Sequence, residues 1–243
     1  MTYSWNWGVL VQDPYLQWLG WGLALTLAIS LAALAIALLI GTAIGILRSS
    51  DHAVLRTFAG IYISVFRNIP LLLQMFLWFF VVPELLPDGA GRWLKRDLPY
   101  PEIVTAIIAL GLFTSSRIAV QVSAGIDAVP RGQRMAARAA GLSQFQTYRL
   151  VLLPQALRII LPPLTSEILT IFKNSSVALT IGVYELTTQT QQIQSITYQG
   201  FEAFTAATIL YVAIAMTVTV IMRAIERGVA LPGTTSGGLH VRF

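Results

Sequence analysis

A chain of 243 residues that is 56% hydrophobic and only 11% charged, with a mean hydropathy of +0.70, is too apolar for a soluble domain and reads as a polytopic membrane protein. It has no cysteine, which excludes disulfides, thiolate metal sites and cysteine nucleophiles. The formal charge of +5 argues for topology rather than nucleic acid, because Lys and Arg sit in short loops between apolar runs, where they set orientation.

Residues 1–18 form an aromatic, interfacial lead-in, with Trp5, Trp7, Tyr15 and Trp18 suited to the headgroup level. The first long apolar run lacks a basic n-region and exceeds an h-region, so no cleavable leader is expected. Residues 19–47 make the first span, and Gly41 and Gly45 give it a close-packing face. A charged loop with Arg48, Asp51, His52 and Arg56 leads to the second span, 57–82. Arg67, Asn68 and Pro70 lie near its middle. A cation at bilayer depth costs about 2.5–3.5 kcal/mol on insertion scales, so Arg67 must face protein or water. Pairing across helices and lining a solute path both satisfy that demand.

A Pro- and Gly-rich loop (83–101) precedes the third span, 102–125, which carries Arg117 in its later half. The fourth span, 163–183, holds Glu167, Lys173, Asn174, Ser175 and Ser176. Glu167 and Lys173 are six residues apart, so they face different sides of one helix and each needs a partner from elsewhere. A Gln- and Thr-rich loop without Lys or Arg (184–202) leads to the fifth span, 203–222, and a Gly-rich tail, 229–243. Positive charge then places the N-terminus outside and the tail in the cytoplasm.

Between the third and fourth spans lies a polar, basic insert, 127–162. Pro130 suits a helix start and Gly141 the left-handed residue past its end, predicting a short helix from about 130 to 140. Arg131, Arg134 and Arg138 form one basic stripe, while Met135, Ala136, Ala139 and Ala140 leave another side low. Ser143 with Gln146 reads as a capping box opening a second helix. Pro154, Pro162 and Pro163 are expected to divide the chain beyond that box into a short interfacial helix and the fourth span.

The insert resembles the hallmark loop of the inner-membrane permease subunits of ATP-binding-cassette importers for polar amino acids. That pattern has a Glu-Ala-Ala triplet, a Gly four residues later, then aliphatic, spacer, aliphatic and Pro. Ala136, Ala137, Gly141, Val151, Leu153 and Pro154 stand at those positions, with Met135 in place of Glu. The resemblance extends through 67–74 (RNIPLLLQ) and 162–182 (PPLTSEILTIFKNSSVALTIG), and is closest in wording to glutamate/aspartate importer permeases. It implies an all-α polytopic bundle of five transmembrane helices (19–228) in the bacterial inner membrane, with a cytoplasmic coupling helix. Pro130, Arg131, Gln133, Arg134, Met135, Ala136, Ala137 and Gly141 would meet the ATPase. It also implies a homologous permease partner, two ATP-binding subunits and a periplasmic amino-acid-binding protein, with ATP-Mg on the ATPase and no cofactor on this chain.

No GxxxxGK[ST] loop is present, and neither partnered histidines nor a close carboxylate pair suggests an enzyme. The candidate path residues are Arg67, Asn68, Arg117, Glu167, Lys173, Asn174, Ser175 and Ser176. An interior Arg offers a forked donor matched to a carboxylate, so Arg117 is expected to receive the side-chain carboxylate of glutamate or aspartate; snorkelling toward the interface is the structural alternative. A stand-alone secondary transporter and a non-transporting membrane scaffold remain rival classes, the first weakened by the absence of an internal repeat.

Overall fold

A computed structural model describes residues 3–229, all of whose regular structure is helical. The expected tail lies outside the described residues apart from Val229. Helix α1 (Tyr15–Arg48) has no proline and no charge before Arg48, and its 34 residues reach about 51 Å, well beyond the hydrocarbon core. It packs chiefly on α4 (Pro101–Asp127). Ala33, Ala37, Gly41 and Gly45 form the buried ridge at that contact. A Cβ on Gly41 would lie 2.8 Å from the Ile118 side chain, and one on Gly45 2.6 Å from Val122. The small residues therefore set how closely the two backbones approach.

The second span is broken. Helices α2 (Ala53–Asn68) and α3 (Leu71–Leu85) meet at 101° across Ile69 and Pro70. Proline lacks the N–H that would continue the ladder and holds its predecessor in extended backbone, here Ile69 at φ −86°, ψ 126°. With this bent pair counted as one, four segments are long and apolar enough to cross a bilayer: α1, the pair, α4 and α8 (Gly200–Val229).

Two expectations need correction. Pro162 and Pro163 do not end a helix; they lie inside α6 (Leu153–Asn174), which runs on into a 3₁₀ turn over Ser175–Ile181. The expected fourth span at 163–183 thus falls on the later half of α6 and that turn. The helix survives its two missing donors because packing against α4 and α8 holds it, and tertiary packing rather than local propensity supplies most of a helix's stability. The supposed loop at 184–202 contains helix α7 (Leu186–Thr197). Glu185 caps it, accepting from the Thr188 N–H at 2.9 Å, and is itself fully buried. Tyr211 donates to the same carboxylate at 2.9 Å and Thr26 at 3.3 Å, which ties α7 to α8 and α1.

Candidate translocation path and coupling surface

The insert folds as its local signals require. Helix α5 (Arg131–Ala139) starts after Pro130, which stands just before the first turn rather than within it. It ends at Gly141 with φ +79°. The Leu142 N–H bonds to the Ala137 carbonyl at 3.1 Å and the Gly141 N–H to that of Arg138 at 3.0 Å, the paired bonds of a Schellman end. Gln146 N–H donates to Ser143 Oγ at 3.2 Å and Ser143 N–H to Gln146 Oε1 at 2.8 Å, completing the reciprocal capping box.

The faces of α5 are sorted by long-range contacts. Ala137 is buried. Arg138 Nη2 donates to Asp51 Oδ2 at 2.8 Å, and Arg134 Nη1 lies 3.7 Å from Asp51 Oδ1, with the Arg134 guanidinium carbon (Cζ) 5.8 Å from the centre of the Tyr148 ring. The Tyr148 hydroxyl donates to the Ser49 carbonyl at 2.8 Å. Two of the three stripe arginines are therefore turned onto the α1–α2 turn of the same chain, while Met135, Ala136, Ala139 and Ala140 stay exposed beside Arg131 and Gln133. The side left open is the small-residue side.

The hydrogen bond from Arg138 holds the Asp51 carboxyl below its ordinary value; it outweighs the desolvation that opposes it, and attraction from Arg134 adds to it in lesser measure. A depressed folded-state pKa contributes stability that is present above the unfolded value, near pH 4, and lost as pH falls through the folded value. Asp51 keeps 57% of its side chain exposed, so Asp51→Asn is expected to cost under about 1 kcal/mol at neutral pH. Thermal unfolding of the purified protein checks this: the difference between wild type and Asp51→Asn should be steady from pH 6 to 8, shrink with salt, and vanish in strong acid.

Within the bundle, the structure joins two of the expected path residues. Arg117 Nε donates to Glu167 Oε2 at 2.6 Å and Nη2 to Oε1 at 3.1 Å. Gln121 Nε2 adds a third donor at 3.1 Å. The forked pair bridges α4 and α6; Glu167 is buried, and the Arg117 side chain keeps 38% of its surface exposed. Its fork, expected to be free for a substrate, is engaged by an internal carboxylate. Lys173 is exposed at the end of α6, with Asn174 and Ser176 partly exposed and Ser175 buried in the turn beyond. Arg67 and Asn68 are exposed at the elbow between α2 and α3. Neither Lys173 nor Arg67 has a carboxylate within 4.0 Å among the described residues. A cavity of about 520 Å³ runs beside the elbow, lined by Arg48, Arg56, Ser64, Arg67, Ser123 and Asp127.

Sequence reasoning gave no role to Asp51, Gln74, Gln121 or Glu185. Asp51 and Gln121 act through contacts more than 40 residues away in sequence, which spacing does not reveal. Gln74 stood in the RNIPLLLQ segment beside Pro70, and that proximity was the available signal.

The chain matches the model of the family described as binding-protein-dependent transport system inner membrane component over residues 37–231. It is 42% identical to the glutamate/aspartate import permease protein GltJ of Escherichia coli (strain K12), over 98% of this chain and 100% of that protein. It is 31% identical to the glutamate/aspartate import permease protein GltK of Escherichia coli O6:H1 (strain CFT073), over 83% of this chain and 92% of that protein. Among solved structures, one described as an amino acid ABC transporter with histidines superposes with a TM-score of 0.76 at 30% identity, covering 93% of this chain and 100% of that one. The inward-facing MetNI methionine ABC transporter has the same fold, with a TM-score of 0.72 at 22% identity over 90% of this chain and 100% of that one.

Proposed function

The chain belongs to the family of inner membrane components of binding-protein-dependent transport systems, and from that premise we propose that it forms the translocation path of an ATP-driven importer of glutamate and aspartate. The observation that carries the reading is the coupling surface: a capped helix, anchored to its own α1–α2 turn through Asp51, leaves Ala136, Ala139 and Ala140 open to a partner beside Met135, Arg131 and Gln133. In this reading Pro130, Arg131, Gln133, Met135 and Ala136 meet the ATP-binding subunit, Arg134 and Ala137 hold the helix to its own chain, and Gly141 sets its exit. The bundle crosses the membrane five times, α6 with its 3₁₀ turn being the fourth crossing. The N-terminus lies in the periplasm, and α5 and the C-terminus in the cytoplasm. A homologous permease, two ATP-binding subunits and a periplasmic binding protein complete the assembly.

The substrate assignment draws on the 42% identity with GltJ and on charge. Among the described residues Arg67 and Lys173 supply two cations without internal carboxylate partners, which suits an amino acid carrying a net negative charge; Asn68, Asn174, Ser175 and Ser176 offer neutral hydrogen bonds beside them. Arg117 meets the substrate carboxylate in competition with Glu167, since an arginine fork engaged on two of its five donors retains three. The assembled transporter in liposomes tests the proposal. Uptake of L-glutamate should require ATP and the binding protein, be competed by L-aspartate and ignore arginine. Uptake by this chain alone on an ion gradient would replace the reading with a secondary transporter; intact assembly without any solute flux would make the chain a scaffold.

A further inference from the structure

The elbow between α2 and α3 leaves the closing carbonyls of α2 and that of Ile69 without helical partners. In an unbroken helix the Phe66 carbonyl would accept the N–H of residue 70, but Pro70 has none. The Ile69 carbonyl lies in the extended link between the helices. Both are met by one side chain, because Gln74 Nε2 donates to the Phe66 carbonyl at 2.7 Å and to the Ile69 carbonyl at 2.9 Å. With two acceptors on that side, the amide nitrogen must face them. Gln74 is only 3% exposed, one turn into α3 on the face packed against α4 and the 3₁₀ turn. Irregular backbone at membrane depth is tolerated only where its polar groups are re-satisfied.

We propose that Gln74 is a positioning residue for the translocation path: its amide replaces the donor that Pro70 removes, and so fixes the 101° elbow that presents Arg67 and Asn68. The link to transport rests on the path proposed above; the link to elbow geometry does not. A side-chain donor has a consequence a backbone donor lacks. It anchors the C-terminal end of α2 to α3 itself, so the two helices hold their angle as one unit when the surrounding bundle moves.

The chain has no cysteine, so spin labels can be placed at Phe58→Cys and Leu85→Cys, both exposed positions on either side of the bend. In the assembled transporter the wild-type distance distribution should be narrow. Gln74→Met, similar in length but without donors, should widen it toward longer distances and slow uptake by roughly tenfold, the scale expected when buried acceptors lose their partners. Pro70→Ala returns a backbone donor to the Phe66 carbonyl, so Gln74→Met made in that background should slow uptake by no more than about threefold, a non-additive cycle. If Gln74→Met does not assemble, Gln74→Asn keeps the amide but shortens its reach, and should widen the distribution in smaller measure. An unchanged distribution in Gln74→Met or Gln74→Asn, or full additivity with Pro70→Ala, overturns the proposal. A widened distribution with normal uptake would keep the elbow assignment and remove Arg67 and Asn68 from the path.

Discussion

Arg117→Ala is expected to lower kcat/KM for glutamate uptake by about a hundredfold, near 3 kcal/mol, the low end of what removing one partner of a buried ion pair costs. The low end applies because the Arg117 side chain is 38% exposed while that of Glu167 is 9% exposed. The substitution leaves the Glu167 carboxylate with Gln121 as its remaining side-chain donor, so part of the loss is structural. The double variant Arg117→Ala/Glu167→Gln separates the parts, since it removes the stranded charge as well. If Arg117 also meets substrate, the double variant should assemble like wild type and still show a raised KM. Uptake restored to the wild-type KM would make the pair a strut between α4 and α6 and nothing more.

Gly141→Val is the second substitution with a large expected effect. No neighbouring atom lies within 4 Å of a Cβ built there, so crowding is not the obstacle; the backbone is. At φ +79° a left-handed conformation costs an ordinary L-residue about 1–2 kcal/mol, and a β-branched one resists it further. The Schellman bonds at Ala137 and Arg138 would be lost and α5 would leave its exit angle. Uptake is expected to fall by roughly tenfold or more, while the ATP-binding subunits keep hydrolysing ATP unproductively. Gly141→Asn should be milder, because Asn tolerates the left-handed region better than other side chains.

These two sites differ in how far the sequence disclosed them. The ends of α5 are local devices: Pro130, Gly141 and the Ser143–Gln146 pair act within a few residues, so spacing alone located them, and the folded chain has them in place. Gly41 and Gly45 were legible for the same reason. The partners of Arg134, Arg138 and Glu167 were not, because Asp51 and Arg117 reach them from distant stretches and periodicity carries no information about which helices become neighbours. Helix α7 was hidden by its polarity, since its Gln- and Thr-rich stretch has few apolar residues to mark a helical period and Thr is a weak helix former; packing on α1 and α8 and the Glu185 cap override that weakness. Pro162 and Pro163 misled in the opposite direction, for a proline breaks a helix only where nothing else holds it. At Pro70 the break was foreseeable but its size was not, because the angle depends on how Gln74 and the α4 face receive the second half.

The coupling claim is tested most directly by measuring glutamate uptake and ATP hydrolysis together in the reconstituted transporter carrying Ala136→Trp. Ala136 is exposed on the open side of α5, so an indole there leaves the fold of this chain alone and obstructs only a partner seated on it. The account predicts that uptake collapses and that the ATP-binding subunits either detach or hydrolyse ATP without transport. Normal uptake per ATP with a fully assembled transporter would contradict it.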